Sequence, residues 1–146
     1  MLIDVAAQTK SDISLQWIEK IGKLIIQKEA SSHQNHISII LADDAFITNL
    51  NHIYFHKDNP TDVISFFLGE DIFPGEKNTA SGEVYISLER ARQQAREYRV
   101  TYHEEVARLI IHGILHLMGY DDQTEQDQKE MTVKENLYLS QITFKE

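Results

Sequence analysis

The spacing of apolar positions changes repeatedly along this chain, and each change of period marks a new element. Leu2 to Val5 reads as a short first strand. Ile13, Trp17, Ile18, Ile21, Leu24 and Ile25 recur at helical spacing, behind Ser11 or Asp12 as the cap. Ile37, Ile39 and Leu41 then alternate with Ser38 and Ile40, as in a strand. Asp43 caps a second helix that carries Phe46, Leu50, Ile53 and Tyr54. Asp58-Asn59-Pro60-Thr61 is a turn. Val63 to Leu68 is apolar, β-branched and aromatic, which predicts a buried strand, and Val84-Tyr85-Ile86 predicts another. Between them, Gly69 to Ser81 holds Gly69, Pro74 and Gly75 and reads as a mobile loop. Leu88 to Tyr98 is helical, and a further helix starts near Thr101. Thr124 caps a last helix with Met131, Val133, Leu137 and Leu139.

Two of these strands are adjacent in the sequence, so strands and helices do not alternate regularly. The expected fold class is therefore α+β. It is a single domain over residues 1–146, with a roughly four-stranded mixed sheet and about five helices packed on it. No apolar run reaches the about 18 residues that a membrane helix needs, so no membrane partner is expected. Met1 to Lys10 shows no basic segment followed by an apolar stretch, and no secretory signal is expected.

Cysteine is absent, which excludes disulfides and thiolate ligands and fits a reducing compartment. Any transition metal must then be held by His, Asp or Glu. The formal net charge of −9 argues against tight nonspecific binding to nucleic acid. The five arginines (Arg90, Arg92, Arg96, Arg99 and Arg108) nevertheless all fall between Leu88 and Leu109, so either a local basic strip or a solvated helix face is open.

The chemistry concentrates in His112-Gly113-Ile114-Leu115-His116-Leu117-Met118-Gly119-Tyr120-Asp121-Asp122. Two histidines four apart on a helix share one face, so both imidazoles can address one ion. Gly119 lets the chain leave the helix through a left-handed residue and swing Asp122 back toward them. Two His and one carboxylate leave a tetrahedral zinc one open position, the arrangement a catalytic site needs. This places a metal site at the end of a central helix. The bland alternative is a pair of buried, hydrogen-bonded helix histidines without metal.

Metzincin proteases share the His-x-x-x-His-x-x-Gly-x-x-His/Asp order, but their general base is a Glu after the first His. Gly113 stands there, which argues against proteolysis. His33, His36, His52, His56 and His103 show no convincing metal spacing, although His52 and His56 are also four apart. Asp121 can orient a ligand histidine or cap the turn. Thr61, Asp62 and Ser65 are polar positions in or beside an apolar strand, and for Thr61 and Asp62 a turn-ending role is at least equally open.

Three blocks in order resemble the YbeY family of bacterial endoribonucleases, metal-dependent rRNA maturation factors. Leu50-Asn51-x-x-Tyr54 followed by Pro60-Thr61-Asp62-Val63-Ile64-Ser65-Phe66 is similar to LNxxYR…PTDVLSF. Gly82-Glu83-Val84-Tyr85-Ile86-Ser87 is similar to GDIxIS, and the His112 to Asp122 segment to HGxLHLxGYDH. Two residues depart from the pattern: Asp122 stands where the family's third ligand is usually His, and Phe55 where an Arg follows the Tyr.

The resemblance implies a metal-dependent, single-strand-specific endoribonuclease. It would act in 3′-end maturation of small-subunit ribosomal RNA and in ribosome biogenesis. His112, His116 and Asp122 would be metal ligands and catalytic residues, with Asp121, Thr61, Asp62 and Ser65 beside the site or facing substrate. One divalent ion, zinc first, is implied, and Asp122 shifts preference toward harder ions such as manganese. The implied partners are ribosomal RNA and the ribosome or its assembly proteins, with no nucleotide cofactor and a cytoplasmic location. Two other readings stay open: a ribosome-associated binding module with a structural metal, and a metzincin-like zinc peptidase.

Overall fold

Four strands form one sheet in the order β1-β2-β4-β3. They are β1 (Leu2–Ala7), β2 (His36–Ala42), β3 (Val63–Glu70) and β4 (Ala80–Ser87). Five helices complete the fold: α1 (Leu15–Glu29), α2 (Asp44–Phe55), α3 (Leu88–Tyr98), α4 (Tyr102–Leu117) and α5 (Glu125–Leu139). The computed structural model describes residues 2–29, 36–70 and 80–144.

β1 and β2 run parallel, as do β2 and β4, whereas β3 is antiparallel to β4, so the sheet is mixed. The class is α+β, as expected. β3 and β4 run further than their apolar cores suggested. Gly69 pairs with Ser81 and Glu70 with Ala80, so both ends of the segment expected to be a loop are strand. Its middle, 71–79, lies outside the described residues, as does His33.

The alternation in β2 works as the pattern demands: Ile37, Ile39 and Leu41 are buried while Ser38 and Ile40 are only half so. The main core joins this strand to α1, α4 and the inner face of α5. A smaller cluster of Ala42, Ile47 and Ile64 lies with α2 on the other face, with Phe46, Leu50, Phe66 and Tyr85 packed around it.

Helix starts follow local chemistry. Asp43, Thr101 and Thr124 each accept a backbone N–H of the first turn, as predicted, and Ser87 does the same for α3. The first helix differs. Ser14 Oγ, not Ser11 or Asp12, accepts the Trp17 N–H at 3.2 Å, while Ser11 Oγ accepts that of Ile13 at 3.0 Å in the preceding turn. Ile13 thereby sits one residue before the cap, with Ile18 at the fourth helical position. This is the spacing of a hydrophobic staple, and both residues are buried.

Two helix faces also differ from the apolar pattern. In α2 the buried positions are Ile47 and Asn51, while Ile53 and Tyr54 are exposed. In α5 they are Met131, Glu135, Tyr138 and Leu139, while Val133 and Leu137 are exposed.

The central helix lies unusually close to the sheet. A Cβ on Gly113 would meet Val84 Cγ1 at 2.5 Å and Ser65 Oγ and Val63 Cγ2 at 3.2 Å. Ser65 Oγ donates to the Gly113 carbonyl at 3.0 Å, tying β3 to α4 beside the two histidines.

Candidate metal centre

α4 delivers the histidines and then stops in a Schellman turn. Gly119 N–H donates to the His116 carbonyl at 3.1 Å and Tyr120 N–H to the Leu115 carbonyl at 3.0 Å. Gly119 has φ +102, in the left-handed region where a glycine carries no Cβ penalty. The chain turns back, and Asp121 Oδ1 accepts the Asp122 N–H at 2.8 Å. Gln128 holds the Asp122 carbonyl from α5 at 3.0 Å. Tyr120 donates its hydroxyl to Glu29 at 2.8 Å, and Glu29 also takes the Tyr138 hydroxyl and the Lys134 ammonium. Burial pushes the Glu29 carboxyl up, but those three donors together hold it below its ordinary value.

His112, His116 and Asp122 converge. The two Nε2 atoms are 3.0 Å apart, and Asp122 Oδ2 lies 3.6 Å from that of His112 and 3.5 Å from that of His116. Tetrahedral coordination by two imidazoles and a carboxylate places ligand atoms about 3.3–3.4 Å apart. The outer nitrogens are both occupied. His112 Nδ1 meets Glu135 Oε2 at 2.7 Å, and His116 Nδ1 meets the Tyr120 carbonyl at 3.1 Å.

A carboxylate and a carbonyl only accept, so each Nδ1 carries the proton and each Nε2 presents a lone pair. Two such nitrogens 3.0 Å apart need a positive charge between them, either a proton taken up by one imidazole or a metal ion. Burial lowers the His112 pKa, but the Glu135 hydrogen bond and the charges of Glu135, Asp122 and Asp62 outweigh it and raise the value overall. The donor set, its spacing and its outer partners fit one divalent ion.

The triad opens on a cavity of about 600 Å³ that wraps the outer edge of β3. Thr61, Asp62, Ser65, Asp121 and Asp122 line it, together with Asn51, Phe55, Lys57 and Phe67. Asp62 Oδ2 accepts from Gln94 at 3.2 Å. Ser65 is engaged with α4, as described. Asp121 caps the turn, and the carboxylate on a histidine is Glu135.

His52 pairs with Asp58, and His36 with Asp4, so neither joins the triad. His103 packs edge-on against Trp17. Three arginines are held in ion pairs: Arg90 with Asp44, Arg92 with Asp12 and Arg108 with Glu135.

Glu135 is the residue that sequence reasoning missed. It is 7% exposed and bridges His112 to Arg108 Nη1, the latter at 2.9 Å. A signal existed: Met131, Glu135, Tyr138 and Leu139 form a helical stripe, and a carboxylate inside such a stripe needs a partner.

Among the described residues no helix is long and apolar enough to cross a membrane. A family profile described as Endoribonuclease YbeY matches residues 4–143. The chain is 40% identical to the Endoribonuclease YbeY of Pelotomaculum thermopropionicum, over 87% of this chain and 85% of that one. It is 33% identical to that of Bacillus subtilis, over 99% and 98%. Among solved structures it is similar to the solution structure of TM1509 from Thermotoga maritima, with a TM-score of 0.66 and 31% identity. That match covers 94% of this chain and 87% of the other.

Proposed function

The chain belongs to the YbeY endoribonuclease family, and from that premise we propose that it is a metal-dependent, single-strand-specific endoribonuclease. Its role on this reading is ribosomal RNA processing, at the 3′ end of the small-subunit RNA, and ribosome biogenesis. The observation that carries the reading is the convergence of the two Nε2 atoms and the Asp122 carboxylate on one point beside an open cavity.

His112, His116 and Asp122 would hold the ion, with zinc the first candidate and manganese favoured by the harder carboxylate. The ion, when bound, supplies Lewis acidity that activates water and offsets charge on a phosphate. Glu135 and the Tyr120 carbonyl keep both imidazoles in the tautomer that leaves Nε2 free. Asp62, steadied by Gln94, offers an acceptor on the cavity wall for a substrate hydroxyl or a proton, and Thr61 stands beside it. A metzincin-like zinc peptidase uses a Glu after the first histidine as its base, and a Cβ at Gly113 would already lie 2.5 Å from Val84 Cγ1. Ribosomal RNA as substrate makes the ribosome or its assembly proteins the expected partners and the cytoplasm the expected location.

The test is cleavage of a single-stranded RNA by metal-loaded protein, with and without chelator, for wild type and His116→Ala. Cutting by wild type alone, abolished by chelator, is expected. Wild type loaded with zinc or manganese that leaves the RNA intact would point instead to a binding module.

A further inference from the structure

Phe55 closes α2, lines the cavity and is 46% exposed. One face of that ring is covered. It lies on Phe66 with centroids 5.7 Å apart and planes 11° apart, a parallel stack. Phe66 is itself fixed edge-on by Tyr54 at 5.0 Å and by Tyr85 at 5.8 Å, and Tyr85 stacks on Phe46 at 6.0 Å. Phe55 is thus the outermost plate of a braced aromatic pile. Phe67, 55% exposed, lines the same cavity from the neighbouring position on β3. Lys57 and Thr61 line the cavity as well.

We propose that Phe55 is a base-stacking platform: its free face takes one nucleobase of a single-stranded RNA whose backbone crosses the metal centre. The proposal rests on the endoribonuclease reading given above. A flat ring already stacked on one side and bare on the other matches a flat, weakly hydrated base. Stacking of this kind is tolerant of sequence, and it works on an acidic protein because it needs no charge. A duplex cannot offer an unstacked base, so the platform also selects single strands. A protein-docking face is the competing occupant, since Ile53 and Tyr54 are exposed on the same helix end, but Phe55 and Phe67 line the same cavity as the triad, among polar side chains, which favours RNA. The arginine that the family pattern places at this position would grip a phosphate, so Phe55 replaces a charge contact with a base contact.

The experiment uses metal-loaded full chain and a fluorescent single-stranded RNA decamer. KM, kcat and the salt dependence of binding are measured for wild type and for Phe55→Ala, Phe55→Leu, Phe55→Trp and Phe55→Arg. Loss of one stacked base corresponds to an about 5- to 140-fold rise in KM. That rise is expected in Ala and Leu, with kcat within about two-fold and the salt slope unchanged. Trp restores the wild-type KM, and Arg restores binding with a steeper salt slope. In the wild type, an abasic nucleotide at one position of the decamer reproduces the Ala defect. Wild type that cuts the decamer while Phe55→Ala has the same KM, or Leu binding as well as Trp, overturns the platform alone and leaves this face to a protein partner. Wild type that neither binds nor cuts the decamer overturns the platform together with the reading on which it rests.

Discussion

Gly113→Ala sets two known effects against each other at one atom. In an unobstructed helix interior the change stabilises by about 1 kcal/mol, because alanine loses less backbone entropy. Here the new methyl would lie 2.5 Å from Val84 Cγ1, where carbon atoms normally rest about 3.5–4.0 Å apart. Val84 is fully buried in a central strand and stiff at χ1, so it has nowhere to go. Ser65 Oγ and Val63 Cγ2 at 3.2 Å block the neighbouring directions. Overpacking of this sort costs about 1–3 kcal/mol or more, and the tightness of the site puts it at the upper end. The net loss is about 1–2 kcal/mol, equivalent to a fall in Tm of about 3–8 °C for a chain this long. Because α4 must lift from the sheet, His112 moves with it and metal affinity falls as well. Calorimetric melts in chelator measure the first effect, and chelator competition the second. Gly22→Ala is the control, since a Cβ there would meet nothing nearer than Ile39 Cδ1 at 3.3 Å and the Ile3 methyls at 3.4 and 3.5 Å, a far looser fit. A Gly113→Ala protein that melts at or above the wild-type temperature would show that the close approach of α4 does not hold.

Glu135→Gln keeps the shape of the side chain but removes the charge facing His112, and divalent-ion affinity is expected to fall about 10- to 100-fold in chelator competition; equal affinity would reduce Glu135 to packing. Gly119→Ala meets no atom within 4 Å but keeps φ near +102, so about 1–2 kcal/mol of backbone strain should appear in a denaturant midpoint, with Gly119→Asn losing less. Glu105 is 2% exposed, and burial, with Asp62, Glu104 and Glu135 nearby, lifts its pKa from 4.5 to about 7 against the opposing pull of Arg108. The folded chain therefore holds this proton more tightly than the unfolded one. Its contribution is complete below pH 4.5 and lost as pH rises through about 7. Wild-type Tm should fall between pH 5 and 8 more steeply than that of Glu105→Gln, and parallel curves would contradict this.

Much of the fold was legible because each element announces itself locally. The alternation in β2, the helical recurrence in α1 and the side chains of Asp43, Thr101 and Thr124 all act within a few residues of themselves. The triad was legible for the same reason, being contained in eleven consecutive residues closed by a glycine. What escaped was settled at a distance. Counting apolar residues in α5 favoured Val133 and Leu137. The face turned inward was chosen instead by what α4 offers, namely His112 and Arg108 as partners for Glu135. In α2 the buried Asn51 donates to the Asn59 carbonyl at 2.8 Å, a contact made after a turn and invisible to periodicity. Phe55 reads as a substitution in the sequence, and only the ring beneath it gives that substitution a direction.

The node at Glu29 has a consequence for the order of events during synthesis. It joins Tyr120, Lys134 and Tyr138, which lie 91, 105 and 109 residues further along the chain. The two histidines leave the ribosome before the residues that steady them, since Lys134, Glu135 and Tyr138 all belong to α5. A nascent chain halted at Asp122 would carry His112, His116 and Asp122 with no Gln128 on the Asp122 carbonyl and no carboxylate behind His112. Loop closure over such separations comes late. A chain that emerges from its amino end therefore fixes the triad in place only when its last helix docks.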